Sequence, residues 1–86
     1  MKIVISQKAE KSFKKIPKVS QIIIAKKIRS LANEKKICEE KLAGYKNIYR
    51  IRVGDYRIVY RRTATEIYII LIRHRKEIYE LLRRLF

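Results

Sequence analysis

Cysteine, histidine, proline, glycine and acidic residues are all scarce in this chain, and each scarcity removes a class of explanation. Cys38 is the only cysteine, so there is no intrachain disulfide and no thiolate metal cluster. The single histidine, His74, leaves no His-rich metal site. Two glycines and one proline make no flexible or polyproline tract, so an ordered core is expected rather than a disordered tail. No run approaches the ~18 apolar residues that a bilayer-spanning helix needs. The opening Met1-Lys2-Ile3-Val4-Ile5-Ser6 returns to charge too soon for a secretory signal. A cytoplasmic, reducing setting without membrane contact is the expectation.

What is abundant is positive charge. Twenty-three Lys and Arg residues against eight acids give a formal net charge of +15 on 86 residues. Such self-repulsion favours a polyanion or an acidic protein as partner. Composition alone leaves nucleic acid, an anionic membrane face, an acidic polypeptide and a merely solvated basic surface all open. Apolar residues make up 48% of the chain, enough for one compact domain spanning residues 1–86 and too little length for two.

The apolar pattern changes period along the chain. Residues 2 to 6 read as a short strand, followed by Ser6 as helix N-cap. Ala9, Phe13 and Ile16 then recur at helical spacing among lysines, and Pro17 ends that helix. A second helix is expected from about Lys18 to Asn33; its early and late apolar residues project to different sides, which predicts contact with the first helix over one portion and with a sheet over another. Glu34 to Gly44 reads as a loop or a frayed helical extension. Ile48 to Val53 alternates, with Tyr49, Ile51 and Val53 on one face and Ile48, Arg50 and Arg52 on the other. Gly54-Asp55 supplies a turn, although Asp-Gly is the more favourable hairpin order. Tyr56 to Arg62 alternates again, and Thr63-Ala64-Thr65 is a second connection. Glu66 to Ile72 is nearly all apolar and reads as an inner strand buried on both faces. Ile78, Leu81, Leu82 and Leu85 form the stripe of a terminal helix.

The order β, α, α, β, β, β, α suits an α+β fold: an N-terminal strand and a helical hairpin packed on an antiparallel sheet, with a short C-terminal helix. The first strand is expected beside the last, which makes the last one central.

Period 2 places Arg50 and Arg52 on one side of a strand, about 6.6 Å apart. Arg57 starts the neighbouring strand, Arg73 closes the final one, and His74 and Arg75 follow it. Tyr79 lies in the first turns of the terminal helix. Several guanidinium forks converging on one concavity suit phosphate oxygens. Alternating arginines also describe the solvent face of an ordinary strand, and Tyr45, Tyr49, Tyr56, Tyr60 and Tyr68 also suit structural strand or loop positions. Tyr79 can stack on a base or reach a phosphate. His74 is the one side chain whose ordinary chemistry suits proton transfer near neutrality, although a histidine at a strand end also serves as a cap or surface residue.

Tyr49 to Arg57, the following Ile58-Val59-Tyr60, and Leu71-Ile72-Arg73-His74-Arg75-Lys76-Glu77-Ile78-Tyr79 closely resemble the RelE/ParE toxin superfamily of toxin–antitoxin systems. The resemblance extends over almost the whole chain and favours the RelE-like branch. It implies a RelE/ParE-like fold and a ribosome-dependent endoribonuclease that cleaves messenger RNA, inhibits translation and is held inactive by an antitoxin with an acidic or partly disordered segment. By that likeness Arg50, Arg52 and Arg57 stabilise the phosphoryl oxygens, Arg73 acts as leaving-group acid, and Tyr79 orients or stacks the nucleotide. His74 resembles a C-terminal histidine that some relatives use. No metal or other cofactor is implied, in keeping with the lack of a carboxylate cluster. Arg52 departs from the lysine of the bacterial archetype, and arginine does not readily serve as a base. The resemblance also admits a ParE-like inhibitor that binds DNA gyrase without cleavage; a non-catalytic basic RNA-binding protein is the third alternative.

Overall fold

The computed structural model describes residues 2–33, 40–42 and 44–74. Within them the order is β1 (Lys2–Ile5), α1 (Gln7–Lys14), α2 (Lys18–Ala32), β2 (Glu40–Lys41), β3 (Ile48–Val53), β4 (Tyr56–Arg62) and β5 (Glu66–His74). The expected terminal helix, with Tyr79, lies outside the described residues, as does Cys38.

Ser6 joins three elements. Its Oγ accepts the Ala9 amide at 3.0 Å, capping α1, and donates to the Ile70 carbonyl of β5 at 2.7 Å. The α1 helix ends before Pro17, which stands at the N-cap of α2 with φ −53°. Gln21 Nε2 donates to the Phe13 carbonyl at 2.8 Å and ties the two helices together.

The sheet has the order β1-β5-β4-β3-β2. It is antiparallel except for β1, which runs parallel to β5, and the pairing of first strand with last agrees with the sequence reading. Two boundaries differ from that reading. Part of the segment expected as loop or frayed helix is a strand, β2, paired with β3 through Glu40↔Arg50 and Lys41↔Tyr49. Two residues give too short a run for periodicity to reveal, and only the edge of β3 selects them. The final strand also runs one residue past Arg73, the residue expected to close it, so His74 lies inside it, paired with Tyr56, while Arg73 pairs with Arg57.

At the β3–β4 turn a positive φ falls on Gly54 (60°) but not on Asp55. That is the pattern of a type II′ turn, whose first central position favours glycine, so the Gly-Asp order fits.

The helices cover one face of the sheet. Ile24, Ile28 and Leu31 of α2 and Ala9 of α1 pack with Ile51, Val53, Ile58, Tyr60, Ile67, Ile69 and Ile72. The opposite face holds a smaller cluster of Ile48, Val59 and Leu71, packed by Leu42, Tyr45 and Ile70. The early apolar residues of α2 do not find the expected neighbour: Val19, Ile22 and Ile23 remain 72%, 53% and 51% exposed. Ile23 borders a shallow pocket with Val53, Gly54, Asp55 and Tyr56 at the β3–β4 turn without being buried there.

One irregularity decides the faces. Val59 pairs with Leu71 but Tyr60 pairs with Ile69, so Ile70 is an extra residue, a β-bulge. Ile67 and Ile69 face the helices; after the bulge Leu71 faces the other way and Ile72 returns to the helices. Alternation continued from Ile67 without the bulge puts position 73 on the helix side. With it, Arg73 turns to the face opposite the helices.

Candidate functional site

The register builds a row of three arginines. Arg52 pairs with Arg57, and Arg57 with Arg73, so the three stand side by side on β3, β4 and β5. All three share the face opposite the helices, within about 10 Å across the strands. Arg50 is two residues along β3 on the same face, opposite Val59.

Their surroundings differ. Arg52 is exposed and Arg50 and Arg73 half-buried, whereas Arg57 is only 8% exposed. Arg57 Nη1 donates to the Tyr56 carbonyl at 3.2 Å, which fixes its fork in the middle of the row. The Arg73 Nε is buried without a hydrogen-bond partner among the described residues. A buried, unsatisfied charged donor carries a desolvation cost, which an anion placed on the row offsets.

His74 does not join these arginines. It pairs with Tyr56 and meets its ring edge-on, with centroids 5.8 Å apart. Both lie on the helix side, where they line a pocket with Ser12, Lys15 and Ile16 of α1 and its C-terminal flank. A strand that continues through position 74 sends adjacent residues to opposite faces, which is why Arg73 and His74 separate. Tyr79 and Arg75 lie outside the described residues.

The strand tyrosines mostly have structural places. Tyr49 and Tyr60 stack at 5.9 Å on the helix side, and the Arg62 guanidinium lies 5.6 and 5.9 Å from their rings. Arg61 lies 5.4 Å from the Tyr68 ring. These arginine–aromatic pairs escaped the sequence reading, because Arg61 and Arg62 lie between two strands whose register a linear pattern does not show. Tyr45 packs against the small cluster of Ile48, Val59 and Leu71, below the arginines. Among the described residues no group of three or more His, Cys, Asp or Glu is placed to hold a metal ion, and no helix there is long and apolar enough to cross a membrane.

A row of fixed cations binds and polarises anionic oxygens, and none of the guanidinium groups of Arg52, Arg57 and Arg73 is suited to accept a proton. Its neighbours in structure are toxins. The chain is similar to RelE in the RelB–RelE antitoxin–toxin complex from Methanococcus jannaschii, at 29% identity, TM-score 0.76, covering 90% of this chain and 95% of that one. The isolated Escherichia coli RelE toxin shares the fold at 23% identity, TM-score 0.75, with 99% and 98% covered. So does YoeB from Staphylococcus aureus, at 23% identity, TM-score 0.70, with 86% and 95% covered. No curated protein sequence matches significantly. The family model of the ParE toxin of type II toxin–antitoxin systems matches residues 3–79, and the chain therefore belongs to that toxin family, within the RelE/ParE superfamily.

Proposed function

We propose that this toxin acts as RelE-like proteins do, as a ribosome-dependent endoribonuclease that cleaves messenger RNA and halts translation. The observation that carries the reading is the in-register row Arg52–Arg57–Arg73 on the sheet face opposite the helices α1 and α2. The reaction is attack of a ribose 2′-oxygen on the adjacent phosphorus, with departure of the 5′-oxygen and formation of a 2′,3′-cyclic phosphate. Arg57, held in the centre, and Arg52 and Arg50 beside it stabilise charge on the phosphoryl oxygens. Arg73, at the β5 end of the row, serves the departing oxygen, and Tyr79 orients the nucleotide. His74 faces the other side of the sheet and Arg52 does not readily accept a proton, so the 2′-proton passes to Tyr79, to solvent or to a group of the ribosome. This dependence gives a physical reason for cleavage only on ribosomes.

Translating ribosomes incubated with the purified protein should yield discrete cuts in messenger RNA, and Arg73→Ala should slow them by about 10²-fold or more. Intact messenger in the wild-type reaction sinks the proposal. A second reading, a ParE-like inhibitor that binds DNA gyrase, is favoured by the family match and by the lack of a proton acceptor in the described row. It predicts loss of supercoiling activity that is insensitive to Arg73→Ala.

The partner under either reading is an antitoxin with an acidic, partly disordered segment; the relatives from Methanococcus jannaschii and Pyrococcus horikoshii are toxins in RelB–RelE complexes. Support comes from a 580 Å³ groove with apolar walls from Ile3, Ile5, Phe13, Ala25 and Ile28, lined also by Arg29 and by Lys14, which pairs with Glu10 at 3.5 Å. Apolar anchors flanked by carboxylates fit such a surface.

A further inference from the structure

We infer that the pocket on the helix side of the β4 and β5 ends is a nucleobase subsite for a nucleotide flanking the phosphate held by the arginine row. The inference rests on the RNA-binding reading above and adds a site to it. The pocket has a volume of 240 Å³ and is lined by residues including Lys15, Ile16, Tyr56, Ile72, Arg73 and His74.

Three observations point to a base. The first is size: the pocket is below the roughly 300–1,000 Å³ typical of sites for drug-sized ligands, so it takes one planar ring system rather than a whole nucleotide. The second is its chemistry. Ile16 and Ile72 are buried core residues that give it an apolar base, while Tyr56 and His74 bring two aromatic rings set at 80° to one another, one able to stack and the other to meet a base edge. It adjoins the C-terminal end of α1, whose dipole disfavours a phosphate there; Lys15, the C-cap residue, is exposed beside it.

The third observation is position. Arg73 belongs both to the row and to the pocket lining, and the Tyr56↔His74 pair is the register step next to Arg57↔Arg73. The row stands one residue from the β3–β4 turn, because Arg52↔Arg57 is followed only by Val53↔Tyr56. Among the described residues a single register step, about 3.3 Å along the strands, therefore lies between the row and the β3–β4 turn. Row and pocket are adjacent at this end of β4, close enough for one nucleotide to connect them.

The test is fluorescence anisotropy with short single-stranded RNAs in which one abasic position is moved stepwise along the sequence. Wild-type protein should lose about tenfold in affinity when one particular base is missing, in the range expected for one base stacked on an aromatic side chain. His74→Ala should bring that ratio close to one, with folding checked by circular dichroism; Tyr56→Leu provides a second variant should the first fail to fold. Equal affinity for all abasic RNAs, with binding still weakened by Arg52→Ala, overturns the subsite and leaves the arginine row standing. A ratio that persists in the folded pocket variants also overturns it. Absence of any RNA binding by the wild-type protein overturns the subsite, whereas the cleavage reading stands or falls on the ribosome assay.

Discussion

Three guanidinium groups in adjacent strands are a cost to the free protein that an anion reverses. Arg52 is the exposed member, so its substitution tests binding with little disturbance of packing. Each phosphate contact on a single strand contributes about −0.7 to the slope of log K against log salt. Arg52→Ala should therefore weaken RNA binding and reduce the steepness of that slope by about 0.7, measured by salt titration; an unchanged slope removes Arg52 from the interface. Tyr60 presents a different cost. It is fully buried and its hydroxyl has no hydrogen-bond partner among the described residues. Tyr60→Phe deletes that polar atom and keeps the stack on Tyr49, so urea unfolding should show equal stability or a gain of up to about 1 kcal/mol.

At the scale of elements, Ser6 is a small side chain with two duties, since one hydroxyl caps α1 and holds the carbonyl of the bulge residue Ile70. Ser6→Ala should lower stability by about 1–2 kcal/mol, against the few tenths expected from a surface change. Helix α2 offers an internal control, because neighbouring isoleucines have opposite environments. Ile24 is 0% exposed and Ile22 is 53% exposed. Ile24→Ala should cost about 2–5 kcal/mol in denaturant unfolding, whereas Ile22→Gln should stay within about 0.5 kcal/mol. A large loss at Ile22 contradicts the placement of α2. The exposed stripe Val19, Ile22, Ile23 contributes little to the isolated fold, which is consistent with a surface kept for a partner.

For the whole molecule the dominant quantity is the net charge of +15. Self-repulsion in the compact state is screened by salt, so raising ionic strength from about 20 to about 200 mM should raise Tm by a few degrees. A linear polyphosphate should raise it further at the same ionic strength, because it binds the folded cationic surface in preference to the more diffuse charges of the unfolded chain. A Tm indifferent to both removes electrostatic strain as a feature of this protein.

The sequence by itself determined the α+β class, the positions of α1 and α2, the alternation that puts Arg50 and Arg52 on one face, and the pairing of β1 with β5. These follow from local periodicity and from the need to bury apolar residues, both readable along the chain. Tertiary structure alone decided which residue of the Arg73-His74 pair reaches the arginine face. Ile70 sits in an unbroken apolar run, and nothing in that run marks it as the unpaired residue. Its role emerges when Val59 pairs with Leu71 and Tyr60 with Ile69, and when Ser6 takes the Ile70 carbonyl. The register between strands is a long-range choice, and here it puts Arg73 in the arginine row and turns His74, the only histidine, to the other face.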